Sequence, residues 1–172
     1  LKDATIQACA AYFERIYQGP IGSEIQHLQS VEQKAWLWAQ LETFSTFKLT
    51  QTAQMQLLNS LIRADSMEQF LARKFVAQKR FSLEGGDALI PLMDALMTTG
   101  ALNHGLKEVV VCMAHRGRLN VMANVFGVPM STLVSRFTGD TEAPFETSGD
   151  VKYHLGCSAD RVVAGQTLHV SM

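Results

Sequence analysis

The sequence predicts an α/β protein in which a helical first half leads into the opening strands and helices of a domain with a parallel sheet and flanking helices. Through the first half, apolar residues recur at three- and four-residue steps, the period of a helix with one buried face. Near residue 80 the pattern changes, and an apolar, β-branched run appears between two helical stretches, as is typical of a strand in a parallel sheet. We therefore predict a helical segment at residues 1–80 and the start of an α/β domain at residues 81–172.

Composition excludes several classes of function. The chain has 172 residues, of which 47% are hydrophobic and 18% charged, and its formal net charge is −1. A protein that tracks nucleic-acid phosphates needs a basic excess, which is absent here. No apolar run reaches the roughly 20 residues that cross a bilayer, so we predict no membrane span. The three cysteines are widely spaced and fit buried or incidental thiols of a reducing compartment better than a disulfide framework.

The first half is predicted to be helical throughout. Apolar periodicity predicts helices over residues 4–17, 31–47 and 53–63. A fourth helix is expected to begin at Ser66, because Ser66 and Gln69 fit a capping box. We expect the aromatic residues here, including Trp36 and Trp38, to pack in the core.

The second half alternates between helices and strands. Asp87 is placed to cap a helix that runs to Thr99, followed by a turn at residues 101–105. The run at residues 108–113 is predicted to be a strand buried on both faces. The elements predicted after it are a helix ending near Phe126, a short helix at 129–137, an exposed loop at 140–150, a half-buried strand at 151–155 and a hairpin of 161–163 with 167–172.

The junction between the strand and the next helix is the most informative spot in the sequence. In open α/β sheets, ligands bind beyond the carboxyl ends of the strands. Arg116 places there a cation whose fork suits an anionic oxygen pair, and Gly117 permits close backbone approach. His115 is able to exchange a proton with a bound ligand. Spacing alone fits a solvated basic edge equally well, so it indicates only a candidate anion site. Four-residue steps place Arg116, Asn120 and Asn124 on one polar stripe.

Other constellations are weaker. A zinc site built from Cys112, His115, His154 and Cys157 is disfavoured, because strand neighbours three apart face opposite ways. Two Gly-Asp pairs, at 139–140 and 149–150, resemble the start of a motif that holds Mg²⁺ and diphosphate, but the required Asn is missing downstream, and we predict no metal ligands. We interpret His27, His104 and His169 as lone structural histidines.

Three segments together resemble the thiamine-dependent first component of the 2-oxoglutarate dehydrogenase family. They are residues 79–87 (KRFSLEGGD), 113–120 (MAHRGRLN) and 149–156 (GDVKYHLG), supported upstream by residues 19–24 and 70–75. The resemblance covers about residues 17–172 and indicates an internal segment of a longer enzyme. Residues 28–30 and 168–172 are more similar to the branch of the family that acts on 2-oxoadipate. The resemblance therefore does not decide between 2-oxoglutarate and 2-oxoadipate as the substrate.

The resemblance implies an oxidoreductase of the tricarboxylic acid cycle. The parent enzyme would decarboxylate a 2-oxo dicarboxylic acid with thiamine diphosphate and Mg²⁺ and pass the succinyl group to a lipoyl group of the partner acyltransferase. It implies that Arg116 contacts the cofactor diphosphate and that His115 contacts the substrate and handles protons, whereas His154 receives no defined role. It also implies a homodimer, in a complex with the acyltransferase and lipoamide dehydrogenase, in the bacterial cytoplasm or the mitochondrial matrix.

The same resemblance implies that other active-site groups lie beyond Met172. They are a second histidine in an Asn-Pro-Ser-His segment, the Asp and Asn that hold Mg²⁺, and the Glu that activates the aminopyrimidine. We therefore expect this segment alone to bind the cofactor weakly or not at all and to show no turnover. The alternative is a catalytically empty helical module that packs against a partner chain.

Overall fold

A computed structural model describes residues 4–19, 22–44, 48–138 and 156–172. The chain falls into two compact units, Leu1–Thr50 and Gln51–Met172. The predicted boundary near residue 80 stays a prediction. Within the described residues, no helix is both long and apolar enough to cross a membrane.

The first unit contains two helices, α1 (Ile6–Tyr17) and α2 (Val31–Phe44), as the apolar period predicts. Thr5 caps α1, because its Oγ1 accepts a hydrogen bond of 3.2 Å from the backbone N–H of Ala8. The ring of Tyr17 meets the ring of Trp38 edge to face, with centroids 5.5 Å apart. Residues 45–47, the predicted end of the second helix, lie outside the described residues.

The expectation that the aromatic residues of this half all pack in the core is wrong. Trp36 is 62% exposed, whereas Trp38 is half-buried against α1. Residues two apart on a helix point about 200° apart, so only one of the two indoles faces the neighbouring helix.

The second unit begins with one long helix, α3 (Gln51–Lys74), where the sequence predicted two. The capping box at Ser66 is therefore wrong. Gln69 instead donates to Asp65 (2.9 Å) and accepts from Arg73 (3.0 Å), so the polar residues form an i,i+4 ladder along a continuous helix. No Gly or Pro interrupts residues 51–74, so nothing local stops the helix.

Helix α4 (Leu89–His104) extends five residues beyond its predicted end at Thr99, and the predicted turn at 101–105 is largely helical. Gly100 is a packing residue: a Cβ built there would lie 2.8 Å from Leu106 Cδ2. The predicted Asp87 cap is also wrong, since Ala88 is the N-cap and Asp87 Oδ2 accepts from the N–H of Gly85 (3.3 Å).

The sheet has three strands, β1 (Glu108–Val110), β2 (Ser158–Val163) and β3 (Gln166–Ser171), in the order β1-β3-β2. β1 pairs with β3 in parallel and β2 pairs with β3 antiparallel, so the sheet is mixed. The predicted hairpin is confirmed, and its two-residue turn has positive φ at Ala164 (51°) and Gly165 (78°), as a type I′ turn requires.

The expectation that the first strand is buried on both faces is wrong. β1 has three residues, and Val110 is 71% exposed while its neighbour Val109 is half-buried. One face of the sheet therefore packs on the core and the other is open in this chain. The α/β class is confirmed, while a thiamine-diphosphate-binding fold stays a prediction.

Two short helices complete the described fold, α5 (Arg118–Asn124) and α6 (Met130–Thr138). α5 lies between two buried clusters: Val121 packs with the sheet and α4, whereas Leu119 and Met122 pack with α3 and α6. The predicted loop at 140–150 and strand at 151–155 lie outside the described residues, and so does His154.

Candidate functional site

The site predicted from the sequence is a turn between β1 and α5. His115 and Arg116 are exposed in this turn, and Gly117 is buried as the N-cap of α5. Gly117 has φ +77°, a left-handed conformation that only glycine adopts readily. The turn thus holds two chemically useful side chains in front of a helix, as the sequence predicted.

A second loop, Phe81 to Leu83, lies directly against this turn. The N–H of Gly117 donates to the carbonyl oxygen of Phe81 (2.9 Å), and Arg116 Nη1 donates to that of Ser82 (2.7 Å). Leu83 covers Gly117 so closely that a Cβ built on the glycine would lie 2.5 Å from Leu83 Cδ1. Consecutive residues of one loop therefore hold consecutive residues of the other.

The ring of Phe81 also stacks on the imidazole of His115, with centroids 5.0 Å apart and planes 27° apart. This geometry lies in the range of favourable aromatic pairs. Phe81 has φ +45°, which is strained for a bulky residue that is not glycine. The surrounding contacts must offset this strain, and the ring contact fixes the plane of the imidazole.

Arg116 lines an open cavity of about 580 Å³. Two further cations, Lys79 and Arg80, line the same cavity, and Phe75 and Val76 supply part of its apolar wall. Arg80 forms an ion pair with Glu84, with Arg80 Nη2 3.7 Å from Glu84 Oε2. A guanidinium carries five N–H donors, so the bond to Ser82 leaves Arg116 with donors for an anionic ligand. Among the residues that the structure describes, the lining of the cavity holds three cationic side chains and no acidic one.

The neighbouring Arg118 has a different role from Arg116. Its Nη1 donates to the carbonyl oxygen of Met113 (2.9 Å), half-buried between β1 and α5. Burial raises the pKa of the nearby Cys157 thiol, against the smaller opposing effect of the Arg118 charge. A raised pKa keeps the thiol protonated and unreactive, so Cys157 is not a candidate nucleophile.

The predicted polar stripe of Arg116, Asn120 and Asn124 is wrong. Arg116 precedes α5, while Asn120 is fully buried against α3 and donates to Glu68 Oε1 and to the carbonyl oxygen of Ala64, both at 2.9 Å. Asn124 donates to Asn120 Oδ1 (2.7 Å). Burial thus converts two residues of the stripe into a structural tie between α3 and α5.

The interpretation of His169 as a lone histidine is also wrong. Its Nδ1 lies 2.7 Å from Asp160 Oδ1 and its Nε2 lies 2.9 Å from Ser158 Oγ. Antiparallel register places His169 opposite Asp160, and Ser158 lies two residues away on the same face. The pair is well solvated, at 43% and 68% side-chain exposure, so we interpret this chain of contacts as a cross-strand tie.

No group of three or more His, Cys, Asp and Glu side chains that could hold a metal occurs in the part of the chain that the structure describes. Cys112 and His115 therefore have no third ligand there. His154 and the two Gly-Asp pairs lie outside that part.

Sequence reasoning found His115, Arg116 and Gly117 but missed the Phe81 loop as part of the site. In the sequence, the segment that contains Phe81 is indicated only by the family resemblance. A contact between residues 34 positions apart produces no periodic pattern in the sequence.

The chain is similar to three curated bacterial proteins, and no protein-family model matches it. It is 43% identical over 161 residues to the 2-oxoglutarate dehydrogenase E1 component of Rickettsia prowazekii, covering 92% of this chain. It is 42% identical to that of Rickettsia typhi, also over 161 residues and 92% of this chain. It is 41% identical over 175 aligned positions to that of Brucella ovis, covering the whole chain. In each case the chain spans 17% of the relative's length.

Proposed function

Because this chain is homologous over nearly its whole length to a segment of 2-oxoglutarate dehydrogenase E1 components, we propose that it supplies part of the active site of such an enzyme. The reaction is the decarboxylation of 2-oxoglutarate with thiamine diphosphate and Mg²⁺, followed by transfer of the succinyl group to a lipoyl group of the partner acyltransferase. The observation that carries the proposal is Arg116, which lines a cavity with two further cations.

Arg116 is assigned to the cofactor diphosphate. Its planar guanidinium would suit a pair of phosphate oxygens better than the ammonium group of a lysine would. Lys79 and Arg80 raise the positive potential of the same cavity and stabilise the polyanion without needing direct contact. The bond from Arg116 Nη1 to the Ser82 carbonyl oxygen orients the guanidinium before the ligand arrives.

His115 is assigned to the substrate. Its ring is exposed beside Arg116 and stacked on Phe81, and an imidazole is chemically suited to exchange a proton with a substrate oxygen. When bound, thiamine diphosphate supplies the electron sink for loss of CO₂. The protein's part is to bind the diphosphate, orient the substrate and manage the proton.

Mg²⁺ is expected to reach this site with its ligands supplied by other residues, since the described part of the chain offers no group of three metal-binding side chains. We propose a homodimer in a complex with the acyltransferase and lipoamide dehydrogenase. The bacterial origin of the relatives favours the cytoplasm over the mitochondrial matrix.

The test is an activity assay of the longer protein that contains this chain, with 2-oxoglutarate, thiamine diphosphate, Mg²⁺ and ferricyanide as electron acceptor. We expect turnover, and we expect Arg116→Gln to raise the cofactor concentration needed for half-maximal activity at least about tenfold, from loss of a charge-assisted bidentate contact. Arg73→Gln, an exposed cation on α3, is the control and should change it less than about twofold.

A substrate panel separates the alternatives. Faster turnover of 2-oxoadipate than of 2-oxoglutarate would assign the chain to the other branch. No turnover of either substrate, with Arg116→Gln indistinguishable from the unsubstituted protein in cofactor binding, would favour the catalytically empty helical module.

A further inference from the structure

The loop Phe81 to Leu83 is joined to the His115–Gly117 turn by four separate contacts. Two are hydrogen bonds to its carbonyl oxygens, one is the packing of Leu83 on Gly117, and one is the ring stacking of Phe81 on His115. Phe81 contacts both ends of the turn, His115 and Gly117, while Ser82 contacts Arg116 and Leu83 contacts Gly117. An arrangement of this kind fixes the turn more firmly than any one contact could.

Backbone strain occurs at one position in the loop and at one in the segment that precedes it. Phe81 has φ +45° and Ala77 has φ +65°, and neither residue is glycine. A non-glycine residue in the left-handed region costs free energy, and such strain persists where the surroundings enforce it, commonly at functional sites. Glycine at position 81 would relieve the strain but would remove the ring that faces His115.

We infer that Phe81 is a positioning residue: its strained backbone turns the ring onto His115 and its carbonyl oxygen onto Gly117, so that the imidazole and the Arg116 guanidinium are set before a ligand binds. This inference rests on the proposed function of His115 and Arg116. Phe81 lines the same cavity as Arg116, and it acts on ligand binding through the turn that it orders.

Contacts that order the side chains of His115 and Arg116 before a ligand binds should strengthen binding. An exposed histidine and an exposed arginine lose side-chain freedom when they bind a ligand, and this loss weakens binding. The stacked ring and the bond to Ser82 impose much of that order in advance. Removing the ring should therefore weaken anion binding even though Phe81 makes no bond to the anion.

The test compares Phe81→Gly, Phe81→Leu and Phe81→Tyr in the full chain by proton NMR of the histidine rings. His115 is assigned among the five histidines by the resonance that His115→Gln removes. Stacking on an aromatic face shields the imidazole protons, so we expect the His115 resonance to move downfield in Phe81→Gly and Phe81→Leu. Phe81→Tyr retains the ring and should retain the resonance position.

The same substitutions are made in the longer protein that contains this chain, and each variant is titrated with inorganic pyrophosphate. We expect Phe81→Gly and Phe81→Leu to raise its dissociation constant about threefold to tenfold and Phe81→Tyr to restore it. Phe70→Leu is the matched control, because it removes an exposed aromatic ring on α3 that does not line the cavity. It should leave both the His115 resonance and the dissociation constant unchanged.

The outcomes separate the two proposals. If Phe81→Gly keeps the His115 resonance position, Phe81 does not position the imidazole and the inference is overturned. If the longer protein that contains this chain does not bind pyrophosphate, the proposed function fails, and the NMR comparison still decides the inference. A Phe81→Gly variant with unchanged or raised melting temperature and weakened pyrophosphate binding supports it, because loss of stability alone would not produce that combination.

Discussion

Gly117 is the residue whose side chain, or lack of one, decides the geometry of the site. An alanine there meets two penalties, the positive φ of +77° and a Cβ 2.5 Å from Leu83 Cδ1. We expect Gly117→Ala to lower the free energy of unfolding by about 2–4 kcal/mol, as left-handed strain and overpacking add. Urea unfolding measures the change.

Gly127→Ala is the control for the strain alone. Gly127 has φ +74°, and a Cβ there would meet nothing within 4 Å. Its expected loss is about 1–2 kcal/mol. If Gly117→Ala and Gly127→Ala lower the free energy of unfolding equally, the Leu83 side chain moves aside without cost. The loop would then not hold the turn tightly.

At the scale of residues, the sequence indicated the cation and the histidine but not what orients them. His115 and Arg116 are neighbours in sequence beside an apolar run, which is a local signal. Phe81 and Ser82 reach them across more than 30 residues, and His169 reaches Asp160 only through strand register. Contacts of this kind depend on the tertiary fold and cannot be read from spacing.

At the scale of elements, the buried bonds of Asn120 tie α5 to α3. Replacing Asn120 by alanine removes both of its donations and leaves Glu68 Oε1 and the Ala64 carbonyl oxygen without that donor. We expect a loss of about 2–4 kcal/mol in the free energy of unfolding, because unsatisfied buried polar groups are costly. Asn59→Ala, exposed on α3, should change it by less than about 0.5 kcal/mol. A small effect at Asn120 would mean that water replaces its amide.

The contact between α4 and β2 carries a pH dependence. Burial raises the pKa of Asp94, and the charges of Arg161 and Arg63 oppose that shift without cancelling it. A carboxyl whose folded pKa lies above its unfolded value stabilises the fold while protonated. The stabilisation is present below about pH 4, the unfolded pKa, and is lost as the pH rises through the folded pKa.

The corresponding measurement is the unfolding free energy of the unsubstituted chain minus that of Asp94→Asn, followed from pH 3 upward in roughly one-unit steps. We expect this difference to fall from about pH 4 and then level off. Asp65→Asn, an exposed position on α3, is the control. A difference that rises with pH would show that the ion pair with Arg161, at 3.5 Å, outweighs the burial of Asp94.

Apolar periodicity located the helices well and their ends poorly. α1 and α2 begin close to the predicted positions, because local period and caps determine them. α4 extends beyond its expected end at Thr99. Gly100 resembles a stop signal in the sequence, but it lies within the helix, where its lack of a side chain leaves room for Leu106. The prediction of two helices in place of α3 has a similar cause. Ser66 was interpreted as an N-cap, although no residue before it ends the preceding helix.

At the scale of the whole molecule, the change in the pattern of apolar residues near residue 80 predicted the α/β class. It did not predict that the sheet is mixed. The hairpin was predicted from its own turn, whereas the parallel pairing of β1 with β3 joins residues about 60 apart in the chain. The apolar residues of β1 are typical of a parallel strand that is buried on both faces, and this composition led to the expectation of a buried strand. In this chain only one face of the strand is covered.

The central claim is that the Arg116 cavity binds a diphosphate, and calorimetric titration of the longer protein that contains this chain with inorganic pyrophosphate tests it most directly. We predict weak, saturable binding with a dissociation constant of order 1 mM, weakened severalfold in Arg116→Lys, which keeps the charge but loses the fork, and at least about tenfold in Arg116→Gln. Arg73→Gln should bind as the unsubstituted protein does. Equal affinity of Arg116→Gln and the unsubstituted protein, or no saturable binding at all, would contradict the account.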